Sequence, residues 1–132
     1  MSGNLKQIIL AEDDPDDLDF FQSALDECCD DFELLVANNG TELEPLLRKF
    51  PEPFAIVLDL NMPMLSGKEC LQLIRSKKCY DKIPIIILST SDDQKDRHFC
   101  LKNGANDYLV KPCSFNGLKT VVENLCKGAY NC

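Results

Sequence analysis

Four apolar segments of this chain end abruptly on residues that can do chemistry. QIILA at 7–11 runs into Glu12-Asp13-Asp14, and FAIVL at 54–58 runs into Asp59. IIIL at 85–88 runs into Ser89-Thr90-Ser91, and DYLV at 107–110 runs into Lys111-Pro112. Taken singly, each ending has a plain use, since acidic residues cap helices and hydroxyls finish strands. Taken together, they describe a site. Carboxylates gathered at contact distance repel by about 4 kcal/mol per close pair at an effective dielectric near 20, a cost a fold avoids unless a cation offsets it. Hard oxygen ligands of this kind suit Mg²⁺, which takes one or two carboxylates and keeps several waters beside a phosphate. A lysine and a hydroxyl facing that cluster suit phosphoryl oxygens. The chemistry implied is an aspartate that receives a phosphoryl group.

That chemistry requires the four endings to meet, and the spacing of the chain supplies the means. Gln7 to Ala11 reads as a short buried strand, and Pro15 to Cys29 shows helical spacing at Leu18, Phe21 and Leu25, with Asp14 as N-cap and Pro15 in the first turn. Phe32 to Ala37 is a second strand, followed by the turn NNG and a helix over about Thr41 to Phe50, where Pro45 is tolerable only in the first turn. Phe54 to Leu58 is the third strand, and Ser66 to Ser76 a helix with Leu71 and Ile74 on one face. IIILS after Pro84 is the most hydrophobic strand and so is expected to be a central one, with neighbours on both sides. A helix over Asp93 to Asn103 is stopped by Gly104, Asp107 to Val110 is the fifth strand, and Ser114 caps a last helix reaching Lys127. Strands alternating with helices in this way imply one parallel sheet covered on both faces. In such open sheets, sites collect outside the carboxyl ends of the strands, where all four endings lie.

Composition narrows the partners. The chain has 132 residues, the size of one domain, with 22 acidic and 14 basic residues for a net charge of -8. That balance argues against nucleic acid or an anionic membrane as a partner held by bulk charge. No apolar run approaches the roughly 20 residues needed to span a bilayer, and MSGNLKQIIL lacks the pattern of a signal peptide, so a cytoplasmic location is expected. Eight cysteines are present without any C-x-x-C, Cys28 and Cys29 are adjacent, and His98 is the single histidine. Neither a disulfide framework nor a zinc site is expected from this. The cysteines read as reduced thiols, most of them small core residues.

EDDP, DLNMPMLSG, LST and GANDYLVKP resemble, in order and spacing, the receiver domain of two-component response regulators. The similarity covers about Ile8 to Leu125, and the whole chain, 1–132 with a core at about 7–127, reads as one receiver domain. The resemblance implies a flavodoxin-like, doubly wound α/β fold: a five-stranded parallel sheet in order 2-1-3-4-5 flanked by five helices. It implies Asp59 as phosphoacceptor and a Mg²⁺ site made by Asp13 directly, Glu12 through water, Asp59, and the backbone carbonyl of Asn61. Ser89 corresponds to the switch hydroxyl, Tyr108 to the switch aromatic, and Lys111 to the lysine that holds the phosphoryl group. Pro112 corresponds to a proline after a cis peptide bond, and Pro63 and Gly67 to the turn that folds the acceptor loop back on itself. Glu12 stands where aspartate is commoner, Ser89 where threonine is more frequent, and Cys113 where an apolar residue is usual. Thr90 is the competing assignment for the hydroxyl; Ser89 is favoured because it directly follows the apolar run.

The mechanism implied is transfer of a phosphoryl group from a phosphohistidine on a sensor histidine kinase or a histidine phosphotransfer protein to Asp59. Ser89 would then move toward the new oxygens and Tyr108 would rotate into the space vacated, altering a face that binds a downstream target. The protein is expected to assist its own phosphorylation and dephosphorylation without turning over an outside substrate, as a monomer or weak dimer of the stand-alone chemotaxis type. One rival is a degenerate receiver that takes no phosphate and acts as an interaction module. Another is a Mg²⁺-dependent aspartyl phosphatase of the haloacid dehalogenase type, which needs an aspartate where this chain has Asn61. A flavin binder of the same fold lacks its phosphate loop here, and EDDP would repel the flavin phosphate. Of the apolar residues in the fourth helix, Phe99 and Leu101 cannot both face the core, and one is expected at the surface.

Overall fold

The computed structural model describes residues 5–130. Its elements follow the expected alternation: β1 (Lys6–Ala11), α1 (Pro15–Cys28), β2 (Phe32–Ala37), α2 (Leu43–Lys49), β3 (Ala55–Leu58), α3 (Gly67–Arg75), β4 (Ile85–Ser89), α4 (Gln94–Lys102), β5 (Asp107–Val110) and α5 (Phe115–Cys126). Short 3-10 turns at Gly40–Glu42 and Lys78–Tyr80 complete the path. The second helix starts later than its sequence suggested, because Gly40–Glu42 winds as a 3-10 turn and leaves Pro45 in the first turn of α2, where its missing N–H costs nothing.

The strands form one parallel sheet in the order β2-β1-β3-β4-β5. Successive side chains on a strand point to opposite faces, and the core divides accordingly. Ile9, Ala11, Ile56, Leu58, Ile85, Ile87 and Tyr108 pack on the side of α2, α3 and α4. Ile8, Leu10, Ala55, Val57, Ile86 and Leu88 pack on the side of α1 and α5. β1, β3 and β4 are buried on both faces over most of their length, hence continuously apolar; the edge strands β2 and β5 are only partly covered.

Caps set the helix starts. The Asp14 side chain accepts from the Asp16 N–H at the start of α1, and Asp93 accepts from Lys95 N–H at the start of α4. Ser66 and Glu69 form a reciprocal capping box on α3, and Ser114 caps α5 by accepting from the Gly117 N–H. In α4, Cys100 faces the core, Phe99 packs partly against it, and Leu101 is exposed.

The cysteines depart from expectation. Cys70 and Cys100 are buried thiols, pushed up to about 11 by burial. Cys79 and Cys113 are exposed, however, and Cys29 and Cys126 are joined as a disulfide. That pairing corrects the reading of all cysteines as reduced. Helices α1 and α5 lie side by side on one face of the sheet, which brings together two residues 97 apart in sequence that no spacing rule connects. Cys132 lies outside the described residues.

Candidate functional site

The site is assembled at the carboxyl edge of the sheet, where β1, β3, β4 and β5 stop. β1 hands over to Glu12, whose N–H still donates to the Ala37 carbonyl at 3.0 Å and so continues the ladder with β2. Its carboxylate folds back over the first turn of the following loop: Oε2 accepts from the N–H groups of Asp13 and Asp14, both at 3.1 Å. β3 hands over to Asp59, whose N–H donates to the Ala11 carbonyl at 3.1 Å. Adjacent strands in parallel register thus place the acidic pair and the lone aspartate side by side. One carboxylate oxygen from each of Glu12, Asp13 and Asp59 lies within 4.8 Å of the others. Glu12 and Asp59 are buried and Asp13 is exposed, so the cluster opens to solvent on one side.

The loop after Asp59 has to turn at once. The Gly67 N–H donates to the Leu60 carbonyl at 3.1 Å, pulling the start of α3 against the acceptor strand. A Cβ at Gly67 would sit 2.3 Å from the Asp59 carbonyl oxygen, so the closeness of this approach requires glycine. Within the loop Met64 takes a positive φ of 71°, unusual for a residue with a side chain, and projects into solvent. The Asn61 N–H points back at Asp59 Oδ1 from 3.4 Å.

Lys111 enters from β5. Its N–H donates to the Ser89 carbonyl at 2.7 Å, extending the ladder one step past Val110. By strand alternation Tyr108 faces the α3–α4 side, so Lys111 faces the α1 side, and its ammonium reaches back across the sheet edge. Nζ lies 2.7 Å from Glu12 Oε1, 2.7 Å from Asp17 Oδ2 and 3.6 Å from Asp59 Oδ2. The Lys111–Pro112 peptide is trans, like every described peptide bond, which corrects the cis bond implied by resemblance. The lysine reaches the cluster through its backbone bond to Ser89 and the length of its own side chain.

The electrostatics follow from this crowding. Burial pushes the Glu12 carboxyl up to about 7, with the charge of Asp59 adding to it, against the lowering effect of the Lys111 and Asp14 N–H hydrogen bonds. Burial works to deprotonate the Lys111 ammonium, but its bonds to Asp17 and Glu12 and the nearby Asp59 charge outweigh that, and its pKa is raised. Lys111 therefore stays a cation at every physiological pH. The donor set of three hard carboxylates fits a divalent metal ion.

Ser89, the last residue of β4, is wholly buried, while its neighbour Thr90 is exposed. Ser89 Oγ accepts from the Ser91 N–H at 3.1 Å. Ser91 Oγ in turn donates to Asp96 Oδ2 at 2.7 Å, and Asp96 Oδ1 pairs with Lys68 of α3 at 2.6 Å. The Lys68 hydrogen bond first, and that from Ser91 second, hold the Asp96 carboxyl below its ordinary range. Tyr108 is buried with its hydroxyl donating to the Ser91 carbonyl at 2.8 Å and the Arg97 guanidinium 5.1 Å from its ring centre. The ring therefore lies inside the core, with Ser91 taking its hydroxyl.

Asp17 and the Asp96–Lys68 pair that anchors Ser91 are the site residues that sequence reasoning missed. Asp17 reads locally as an acidic residue in a first helical turn, a common preference with a local cause. Only the packing of α1 beside the end of β5 gives it a lysine to face.

A family model described as response regulator receiver domain matches residues 8–123. The chain is 33% identical over 93 residues to a chemotaxis protein CheY homolog of Campylobacter jejuni, covering 70% of this chain and 72% of that one. It is 34% identical over 119 residues to the sensor histidine kinase TmoS of Ectopseudomonas mendocina, covering 90% of this chain but spanning only 12% of the kinase. Among solved structures, the phosphorylated cyanobacterial phytochrome response regulator RcpA superposes with a TM-score of 0.85 at 29% identity, covering 94% of this chain and 93% of that one. The Mn²⁺-bound form of response regulator Rcp1 gives 0.83 at 28% identity, covering 96% and 94%.

Proposed function

The chain belongs to the response regulator receiver domain family of two-component signalling, and on that premise we propose that Asp59 accepts a phosphoryl group from a phosphohistidine of a partner protein. The observation that carries this reading is the meeting of Glu12, Asp13 and Asp59 within 4.8 Å, with Lys111 against two of them. An Asp59 oxygen attacks phosphorus, the P–O bond forms as the P–N bond to the histidine breaks, and the electron pair leaves with the imidazole. Lys111 balances charge on the phosphoryl oxygens, and the buried Ser89 hydroxyl donates to one of them once Ser91 N–H releases it. A bound Mg²⁺ supplies positive charge against the same oxygens; Asp13, Asp59 and the Asn61 carbonyl would hold it, with Glu12 acting through water. The chain's own part is positioning and charge, and hydrolysis of the phosphoaspartate uses the same groups on a water.

Phosphorylation adds about -2 of charge beside Glu12 and Asp13. Ser89 and Ser91 are joined by a hydrogen bond, and Ser91 holds both Tyr108 and Asp96, so a pull on Ser89 loads the start of α4. We assign the output to that face, made by α4, β5 and α5, binding a downstream protein in the cytoplasm. Among the described residues, no helix is long and apolar enough to cross a membrane. The kinase or phosphotransfer partner is inferred from family membership. RcpA is described as phosphorylated and Rcp1 as Mn²⁺-bound, which supports both the acceptor and the divalent site.

Incubation with Mg²⁺ and phosphoramidate, followed by intact-mass and peptide analysis, tests the proposal. An adduct of one phosphoryl group on Asp59, absent in Asp59→Asn and without added Mg²⁺, supports it. Steady phosphate release without an adduct would favour a phosphatase, and no reaction a degenerate receiver; either result overturns it.

A further inference from the structure

Lys111 is the residue the proposed reaction needs most after Asp59, yet its shortest contacts are elsewhere. The ammonium lies 2.7 Å from Glu12 Oε1 and 2.7 Å from Asp17 Oδ2, both hydrogen bonds, and 3.6 Å from Asp59 Oδ2, beyond hydrogen-bond reach. Asp17 is the third residue of α1, on the helix that borders the site from the α1–α5 face of the sheet. It belongs to no strand end and offers no oxygen to the cluster of Glu12, Asp13 and Asp59. Its carboxylate is about one-third exposed, and that of Glu12 almost wholly buried. One partner of Lys111 is thus fixed inside the site, while the other draws the amine out toward the rim.

We propose that Asp17 is a positioning residue for the phosphoryl-transfer site, holding the Lys111 ammonium off the Asp59 carboxylate and out of the space a cation occupies. The inference rests on the reading of Asp59 as phosphoacceptor beside a divalent ion. Three carboxylates compete for one ammonium, and removing one sends it to the other two. Without Asp17 the amine settles between Glu12 and Asp59, where it neutralises the acceptor by direct hydrogen bonding and repels a metal ion. With Asp17 present, Lys111 waits at the edge of the site, close enough to swing onto a phosphoryl oxygen. Arrival of the phosphoryl group then requires an exchange of partners, in which the Lys111–Asp17 bond is replaced by a Lys111–phosphoryl bond.

Loss of any nearby negative charge weakens cation binding, so the test separates Lys111 positioning from plain electrostatics. Mg²⁺ affinity is measured by calorimetry for the unsubstituted chain, Asp17→Asn and Asp16→Asn, and again for all three with Lys111→Met. Asp16 is an exposed acid in the same helical turn that forms no ion pair with Lys111. A displacement of the ammonium by about 1 Å toward the ion predicts an affinity about fivefold lower for Asp17→Asn than for Asp16→Asn. With Lys111→Met the two variants become equal. Equal affinities in the unsubstituted background, or a difference that persists with Lys111→Met, overturn the positioning role and leave the proposed function standing. Absence of Mg²⁺ binding by the unsubstituted chain at millimolar concentrations overturns both.

Discussion

The Tyr108 hydroxyl donates a hydrogen bond to the Ser91 carbonyl at 2.8 Å, fastening the inner face of β5 to the loop between β4 and α4. The same Ser91 touches Ser89 through its N–H and Asp96 through its hydroxyl, so one short loop residue links strand end, helix start and buried ring. Tyr108→Phe keeps the ring in its core position but leaves the Ser91 carbonyl without this donor. The expected loss is about 1 kcal/mol in urea unfolding, with faster amide exchange confined to the loop at 90–93. Unchanged exchange there, against a control at the far edge of the sheet, would show that the bond does not restrain the loop.

Metal-free stability and metal affinity are predicted to run in opposite directions with pH. The Glu12 carboxyl is raised from 4.5 to about 7, mainly by burial, so the fold favours its neutral form. The stability that this group contributes is whole below pH 4.5 and is lost as pH rises through about 7. A metal ion needs the anion, so Mg²⁺ affinity rises across the same interval. Urea midpoints in chelator and Mg²⁺ titrations, each at about pH 5 and pH 8, measure the two trends, and Glu12→Gln should flatten both.

At Gly67 the constraint is contact. Because an added Cβ would meet the Asp59 carbonyl oxygen at 2.3 Å and the Leu60 Cα at 2.8 Å, Gly67→Ala must push α3 and the acceptor strand apart. A loss of about 1–3 kcal/mol in stability is expected, accompanied by weaker Mg²⁺ binding. Loss of stability with intact metal affinity would mean that α3 moves and Asp59 stays.

Arg75, at the end of α3, holds the opposite edge of the sheet together. Its guanidinium donates to the carbonyls of Gly104 at 3.0 Å, Tyr80 at 2.9 Å and Ile83 at 2.8 Å, and to Asn106 Oδ1 at 3.1 Å. Among the described residues it forms no ion pair within 4.0 Å; carbonyl dipoles, with the charge of Asp81 nearby, offset its burial. Arg75→Ala should cost about 3 kcal/mol, and Arg75→Lys should recover little, since an ammonium cannot serve this fan of acceptors. Full recovery by lysine in thermal unfolding would reduce the residue to a simple charge.

The strands, the helices, their caps and the acidic endings were legible in the sequence because each has a local cause. An apolar run such as IIIL states its own burial, and Asp14 before Pro15 states its own cap. The gathering of Glu12, Asp13 and Asp59 was also legible, since parallel strands in one sheet must end on one edge. What tertiary structure alone decided are contacts between side chains on different elements at large sequence separation. Asp17 meets Lys111, Arg75 meets Asn106, Tyr108 lies inward against Ser91, and Cys29 joins Cys126. Sequence periodicity reports which face of an element is buried, and says nothing of which neighbour lies across from it; that is fixed only when the crossovers bring α1 beside α5 and the end of β5 over the start of α1.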